Sequence, residues 1–436
     1  MLEVHRTHRA KIRNHSQVAD SLDRHGWSAS KLWNVANYHS RQVWEETGEI
    51  PDHEELKDEL KIYSKYKGLH SQSSQRVLEE LAEAFNSWYS SDDNRDNSPG
   101  YRKENYYDSE GRRVHEEHPR STVTWKQNGI HHDTKNNRVR LSKGANHKEH
   151  PKAWEYILVE YETRPGIEVE NLQQARAVYD QQKGRWELHL VCKDEIETPT
   201  APGNETAGID LGISNFAAVA YSTEDADLYP GNRLKQDGYY FPKEIANCDD
   251  SGERATRLHH KWSERRTHFF HSLAKHIVQR WVEKGVGRIN VGDLEGVRED
   301  KDGKSKNWGK HGNLDLHGWA FDRFTNILQY KAKVKGIEVV EVSERDTSKT
   351  CCVCGKEDDN QRVERGLYVC AECDAAFNAD VNGAENIRLD LNESNSESSG
   401  QLSRDRSTGW LAQPGVYLHD LSCGFQPQEQ VVGSKP

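Results

Sequence analysis

The sequence predicts a multidomain α+β chain: a helical segment set into a small β domain, then a layer of strands alternating with helices that is interrupted by a cysteine-rich insert. Three observations carry this. The 436 residues are enough for roughly three domains. The texture changes twice, from helical periodicity to short alternating runs near residue 122, and to apolar strands separated by long helical stretches after residue 203. Two CxxC pairs stand inside the last of these regions.

Residues 1–16 read as a short basic strand bearing Arg6, Arg9, Lys11 and Arg13. Residues 17–95 read as helical, because Leu32, Trp33, Ala36, Val43 and Trp44 recur at near-helical spacing and Val77, Leu78, Leu81, Ala84, Phe85 and Trp88 repeat the pattern. The run 90–100 is loop by composition. Over 96–200, alternating stretches at 121–125, 154–162 and 186–192, punctuated by Gly and Asn, predict a small β domain, and 199–203 (PTAPG) is a linker. The α/β layer then comprises a strand over 208–221, a helix over 253–284, a strand over 288–294, a polar loop, a helix over 319–335, a strand over 336–343, the insert at 347–377 and a closing helix from Asp380 within 378–391. From residue 392 the composition is of low complexity (NESNSESSG) and predicts a disordered tail to 436, in which only 410–417 has the apolar character to dock.

Only 34% of the residues are apolar, yet 12 Trp, 17 Tyr and 9 Phe supply large buried area, so the chain should fold. No stretch approaches the roughly 18 consecutive apolar residues of a membrane span, and the first residues lack the apolar core of a secretory signal. Of eight cysteines, four form the CxxC pairs and Cys192, Cys248, Cys352 and Cys423 are scattered, which argues for a reducing, cytoplasmic compartment. Lys plus Arg number 60 against 71 Asp plus Glu, a net charge of −11 that confines any nucleic-acid contact to a local basic channel. The same acidic excess suits a cytoplasm of very high salt, such as a haloarchaeal one.

Cys351-x2-Cys354-x15-Cys370-x2-Cys373 has the spacing of a four-thiolate zinc ribbon, in which two tight knuckles close a tetrahedron. Four thiolates leave no open position, so this Zn²⁺ is structural. Cys352, inside the first knuckle, leaves a one-residue slip in the ligand set open.

Asp210 stands between apolar neighbours in 208–212 (GIDLG) and must be paired or bound to metal, since an isolated buried carboxylate is costly. Asp380 falls at a helix start in 378–384. Together they suggest a two-metal phosphodiester site. The helix from Glu253 carries Arg257, Lys261 and Arg265 at i, i+4 spacing with Arg254, Arg266 and His268 alongside, opposite an apolar stripe of Leu258, Trp262, Phe269, Leu273, Ile277 and Trp281. Such a face suits contact of Arg254, Arg257, Lys261 and Arg265 with a nucleic-acid backbone, although a merely solvated face has the same composition. The loop 298–310 (REDKDGKSKNWGK) reads either as a lid over the site or as a solvated loop.

The series GIDLGISNFAAVA, VGDLEGV, TSKTC with its ribbon, and NADVNGAENI, in this order, resembles the RuvC-type, RNase H-like nucleases of the TnpB (OrfB) family encoded by insertion sequences. Type V CRISPR effectors and the Fanzor proteins are relatives of that family. LWNVANYHSR and RTHFFHSLAKHIV are similar to its N-terminal helical segment and to its helix between the first two RuvC motifs, so the resemblance spans 1–390 and leaves the tail outside. It implies a β-barrel wedge domain (1–16 and 96–200) carrying a helical recognition domain (17–95), a RuvC-like domain over 204–346 closed by 378–391, and a zinc ribbon at 347–377. It also implies an RNA-guided DNA endonuclease with guide RNA and target DNA as partners, hydrolysis by two Mg²⁺ ions, no membrane and no small-molecule substrate, with sequence read by RNA pairing. The oligomeric state stays open. A strand-joining transposase is disfavoured, because no tyrosine-nucleophile motif is present.

One position departs from the family. Its second motif carries a metal-binding Glu immediately before Asp-Leu, where this chain has Gly292 in 291–294 (VGDL). Asp293 is a poor substitute, because one step along a strand turns the side chain to the opposite face. Two readings remain: the third carboxylate comes from elsewhere, or the chain binds guide and target without cutting. Glu344, at the C-terminal end of the strand 336–343, is the candidate for the first, since sites in open α/β sheets gather at strand C-termini. Some TnpB-like and Fanzor proteins are similar in losing the second-motif Glu while carrying another in this region. Glu338 and Glu341 compete, but strand parity groups Glu344 with Val340 and Val342 and puts Glu341 on the other face. The expected site is therefore Asp210, Glu344 and Asp380.

Overall fold

The computed structural model describes residues 1–90, 98–102, 104–107, 113–117, 119–148, 154–248, 253–293, 321–344, 346–364, 366–389 and 408–428. The loop 298–310, most of the run 90–100, and 392–407 lie outside the described residues. Two compact units divide the chain, Met1–Ile196 and Glu197–Pro436. No described helix is long and apolar enough to cross a membrane.

In the first unit, strand β1 (Leu2–Ile12) runs straight into helix α1 (His15–Thr47), followed by α2 (His53–Leu60), α3 (Ser64–Lys67) and α4 (Ser71–Tyr89). Asn14 pins the junction, its amide donating to Leu158 O and its oxygen receiving Glu160 N–H, each at 2.9 Å. A separate hairpin, β2 (Glu104–Tyr107) and β3 (Arg113–Glu117), precedes β4 (Val123–Lys126), β5 (Ile130–Asp133), β6 (Arg138–Ser142), β7 (Tyr156–Glu162), β8 (Leu172–Asp180) and β9 (Arg185–Ile196). The seven-stranded sheet has the order β4-β8-β9-β1-β7-β6-β5. Its first strand is central because β1 pairs along its length with β9 and, at Lys11 and Ile12, with β7. Helices and sheet share one apolar core, in which Leu32, Leu78 and Leu81 meet Trp125, Trp186 and Leu188. Asp23 of α1 receives the Trp186 indole N–H at 2.9 Å and the Arg120 guanidinium at 2.6 Å, tying helix to sheet with polar bonds as well.

The second unit begins with β10 (Glu205–Leu211), β11 (Asn215–Tyr221) and β12 (Asp225–Pro230), then α5 (Asn232–Ala246), α6 (Glu253–Glu283), β13 (Val286–Asp293), α7 (Phe321–Lys333) and β14 (Glu338–Ser343). The single strand expected over 208–221 is instead the hairpin β10–β11, because the chain turns at Gly212, whose N–H donates to Phe216 O at 3.3 Å. Ribbon strands β15 (Arg362–Glu364), β16 (Leu367–Cys370) and β17 (Ala375–Asn378) lead into α8 (Ala379–Leu389). The sheet order is β14-β13-β10-β11-β12-β18-β19, the last two strands being β18 (Gly415–Asp420) and β19 (Gly424–Pro427) beyond the short α9 (Gly409–Ala412). Strands β10, β11 and β12 are antiparallel, whereas β13 and β14 run parallel to β10. Alternation gives the sheet two buried faces. Ile209, Leu211, Ile289 and Val291 pack with Phe270 and Leu273 of α6 and Phe324 and Leu328 of α7, while Ala218 and Ala220 pack with Val381 and Ala384 of α8.

In the tail, 410–417 docks as its apolar character suggested, and the ordered stretch extends further than the sequence expectation. Residues 408–428 are structured: β18 joins the sheet beside β12, and β19 pairs back on it. Tyr417 stacks on Tyr229 at 5.5 Å, Phe425 packs against Phe269, and Arg280 lies over the Tyr417 ring. Low-complexity composition concealed this because Tyr417 and Phe425 find ring partners on β12 and α6, far away in sequence.

Beneath the hairpin, buried Asp227 is held by Arg280 at 3.0 Å and by the Tyr221 hydroxyl at 2.7 Å. Removing one partner of a buried ion pair strands the other charge. Arg280→Ala is therefore expected to destabilise the full chain by about 3 kcal/mol in urea unfolding. A loss under about 1 kcal/mol would mean that solvent already screens the pair.

Candidate active site

The C-terminal ends of β10, β13 and β14 lie side by side. Ile209 is opposite Val291, and Gly292 is opposite Val342. With Asn290 donating its amide to Ile387 O and Arg388 O of α8, at 3.1 Å each, strand parity puts Asp210, Gly292 and Val342 on the α8 face. Gly383 of α8 lies against Asp210: a Cβ there would come 2.8 Å from Asp210 Oδ2. A side chain at 383 would require the Asp210 carboxylate to shift.

Asp380 opens α8. Asn378 caps the first turn, its Oδ1 receiving the N–H groups of Asp380 and Val381 at 3.1 and 3.2 Å. Both Asp380 oxygens are engaged, Oδ2 by the Asn215 amide at 2.8 Å and Oδ1 by the Arg362 guanidinium at 3.1 Å. Burial drives the Asp210 carboxyl up to about 7, with Asp380 beside it adding to the rise and Arg362 opposing it. Crowded, desolvated carboxylates of this kind are relieved by a divalent cation.

Glu344 follows β14. An ideal Cβ on Gly292 would lie 2.1 Å from Glu344 Oε1 and 2.4 Å from its Cγ, so the Glu344 side chain fills the room over Gly292. Glu341 accepts a hydrogen bond from Gln329 of α7 at 2.7 Å, on the opposite face, and Glu338 stands at the far end of the strand. Of the three glutamates, Glu344 is thus the one over Gly292. Among the described residues, only the four ribbon cysteines form a group whose ligand atoms all lie within 4.8 Å of one another. Asp210, Glu344 and Asp380 do not form such a group.

In the ribbon, Cys351 Sγ and Cys373 Sγ lie 3.7 Å apart and Cys354 Sγ and Cys370 Sγ 3.6 Å apart. Zn–S bonds of ~2.3 Å in a tetrahedron require S–S separations of about 3.8 Å, so the four thiols fit zinc. Cys352 stands outside the cluster, its N–H donated to Asn382 Oδ1 at 3.0 Å. Burial pushes the Cys351 thiol up to about 11, so metal loading releases protons and tightens with pH.

The basic helix face is mixed. Arg257 and Lys261 are exposed on α6, but Arg265 is bound to Asp237 of α5 at 2.7 Å and Arg254 to Glu244 at 3.3 Å. Sequence reasoning missed Asn215, Asn378, Gly383 and Arg362. Asn378 was findable as an N-cap in NAD, whereas QRVER around Arg362 carries the signature of any exposed strand.

Zinc content should be one per chain, and Cys370→Ser should lose the metal and lower the unfolding temperature; full stability without zinc would refute the ribbon's dependence on it. A second expectation concerns Asp210. Its folded pKa of about 7 lies above the unfolded ~3.9, so the folded state binds the extra proton, and the metal-free protein loses stability as pH rises from about 4 to 7. Asp210→Asn should remove that slope, raise metal-free stability at pH 8, and abolish the stabilisation by added Mg²⁺. Parallel pH profiles for wild type and variant in thermal unfolding would refute the raised pKa.

Comparison with known proteins matches residues 189–298 to OrfB_IS605, a probable-transposase family, and residues 321–387 to the Cas12f1-like TNB domain. The TnpB-like protein ORF457 of Acidianus two-tailed virus is 25% identical over 406 residues, covering 82% of this chain and 80% of that one. The CRISPR-associated endodeoxyribonuclease Cas12f1 of Sulfoacidibacillus thermotolerans is 25% identical over 232 residues, 49% of this chain and 52% of its own, so the chain spans about half of that relative. A cryo-EM structure of a Cas12f1–sgRNA–target DNA complex aligns over 89% of this chain and 99% of that chain at 14% identity, with a TM-score of 0.36. The chain is thus similar to OrfB_IS605 and then to the Cas12f1-like TNB domain in the same order along its sequence, and to a TnpB-like protein over most of its length.

Proposed function

We propose that the protein is an RNA-guided DNA endonuclease of the TnpB type, cutting by divalent-cation-dependent phosphodiester hydrolysis, with Asp210, Glu344 and Asp380 as its metal-ligating carboxylates. The observation that carries this is the Glu344 side chain filling the space over Gly292, where the family's second-motif glutamate would begin. The strand order supports an RNase H-like core: three antiparallel strands, then two parallel to the first, with helices on both faces.

Bound Mg²⁺, as two ions, would activate a water and stabilise the leaving oxygen. The protein's part is positional. Asp210, desolvated and crowded, keeps its charge best when a cation is present. Asn215 and the Asn378 cap fix Asp380 and its helix turn. Arg362 tempers the repulsion and sets a guanidinium beside the carboxylates.

Guide RNA and target DNA are the partners in this reading, supported by the motif series and by the endodeoxyribonuclease named among the relatives. Base pairing reads the sequence and the protein holds the duplex backbone. Arg257 and Lys261 supply backbone contacts on α6, flanked by Arg254 and Arg265 in their ion pairs with α5. The four-cysteine ribbon holds a structural zinc.

The test is cleavage of target DNA by wild type, Glu344→Gln and Glu341→Gln under identical guide loading. Wild type and Glu341→Gln should cut in Mg²⁺, and Glu344→Gln should lose about 100-fold or more in rate. Equal cutting by Glu344→Gln would reject the relocated ligand. Guide-dependent protection of uncut DNA by the wild type would show a binding regulator instead.

A further inference from the structure

Asn382 and Asn386 lie one turn apart on α8, and both side chains are fully buried. Buried amides persist when their bonds are made. Asn386 Nδ2 donates to Thr347 O and Thr350 O, each at 2.7 Å. Asn382 Nδ2 donates to Thr350 O at 2.9 Å, and its Oδ1 receives the Cys352 N–H at 3.0 Å. Four hydrogen bonds thus clasp 347–352, the stretch that joins Glu344 to the first zinc knuckle. Thr347 closes this stretch back onto Glu344, its N–H and Oγ1 both donating to Glu344 O at 3.2 and 2.9 Å.

The same helix begins with Asp380 and lays Gly383 against Asp210. It therefore sets two carboxylates through its own backbone and reaches the third through the clasped loop. Glu344 stands one residue past the last β13–β14 pair, Asp293 with Ser343, where the chain turns into the clasped loop.

We propose that Asn382 and Asn386 are positioning residues that hold Glu344 over Gly292 by clasping the knuckle to α8, so that the integrity of the zinc ribbon sets the cation affinity of the carboxylate site. This rests on Glu344 being a metal ligand. Neither asparagine ligates a metal; each acts through the loop.

The experiment titrates Mn²⁺ into the full-length, zinc-loaded chain and follows both water proton relaxation and unfolding temperature. Glu344→Gln and Asn386→Ala should each weaken Mn²⁺ binding about tenfold while zinc stays at one per chain, with Asn382→Ser in between. In the Glu344→Gln background, Asn386→Ala should add nothing, because both changes remove the same interaction. Ile387→Val, on the same helix, should lower the unfolding temperature and leave the Mn²⁺ curve in place. The clasp is overturned if Glu344→Gln weakens Mn²⁺ binding while Asn386→Ala and Asn382→Ser do not, or if the losses multiply in the double variant. Unchanged Mn²⁺ binding in Glu344→Gln would remove the ligand reading itself, and the clasp with it. Should Asn386→Ala fail to fold, Asn382→Ser carries the same comparison.

Discussion

How closely α8 can lie on the sheet governs the second unit. A Cβ on Gly208 would fall 2.1 Å from Ala384 O and 2.4 Å from Arg388 N, distances no side chain can occupy. The helix backbone therefore rests directly on β10, with Gly383 against Asp210 at the other end of the contact. Asp380 starts the helix, so the seat of α8 on β10 sets how far apart the backbones of the two aspartates stand. Two glycines at these points do what no larger pair could, because close packing transmits a displacement of even one methyl group.

Charge is handled differently at the site than elsewhere in the unit. Buried Asp227 has Arg280 and Tyr221, and buried Glu385 has both guanidinium ends of Arg388 at 2.6 and 2.7 Å, with Thr206 taking a third bond. Each is a carboxylate neutralised by a neighbour. Asp210 has Asp380 as its neighbour instead, and the cation in reach, Arg362, is bonded to Asp380 with a side chain 43% exposed, so solvent screens it. Asp210 is thus an acid of this unit whose carboxyl is pushed up, by burial first and by Asp380 second.

What the sequence disclosed follows from where each signal resides. Helices α4 and α6 and strand β13 were legible because a sustained apolar period specifies them locally. The ribbon was legible because metal geometry restricts spacing, as Cys351, Cys354, Cys370 and Cys373 show. Parity alone separated Glu344 from Glu341, and the structure puts Glu341 with Gln329 on the other face. Arg362 was invisible, since its partner lies 18 residues on and across a strand pairing that no local pattern encodes. The hairpin 415–427 was hidden for the same reason: Tyr417 and Phe425 are ordinary in composition and acquire meaning only against Tyr229 and Phe269.

In the proposed reading, a carboxylate at 344 in place of one at 292 changes what must be rigid. At 292 the backbone is paired with Val342 of β14, one residue beyond the last partner of β10, Val291. At 344 the chain is one residue past the last β13–β14 pair, Asp293 with Ser343, and turns toward the first knuckle. The stretch that follows is short and runs at once into Cys351, and Thr347, Thr350 and Cys352 are each bound by asparagines of the helix that carries Asp380. The glycine at 292 is then no mere loss. Its missing side chain is the room into which Glu344 reaches: a glutamate at 292 beside the one at 344 would place two side chains in a single space.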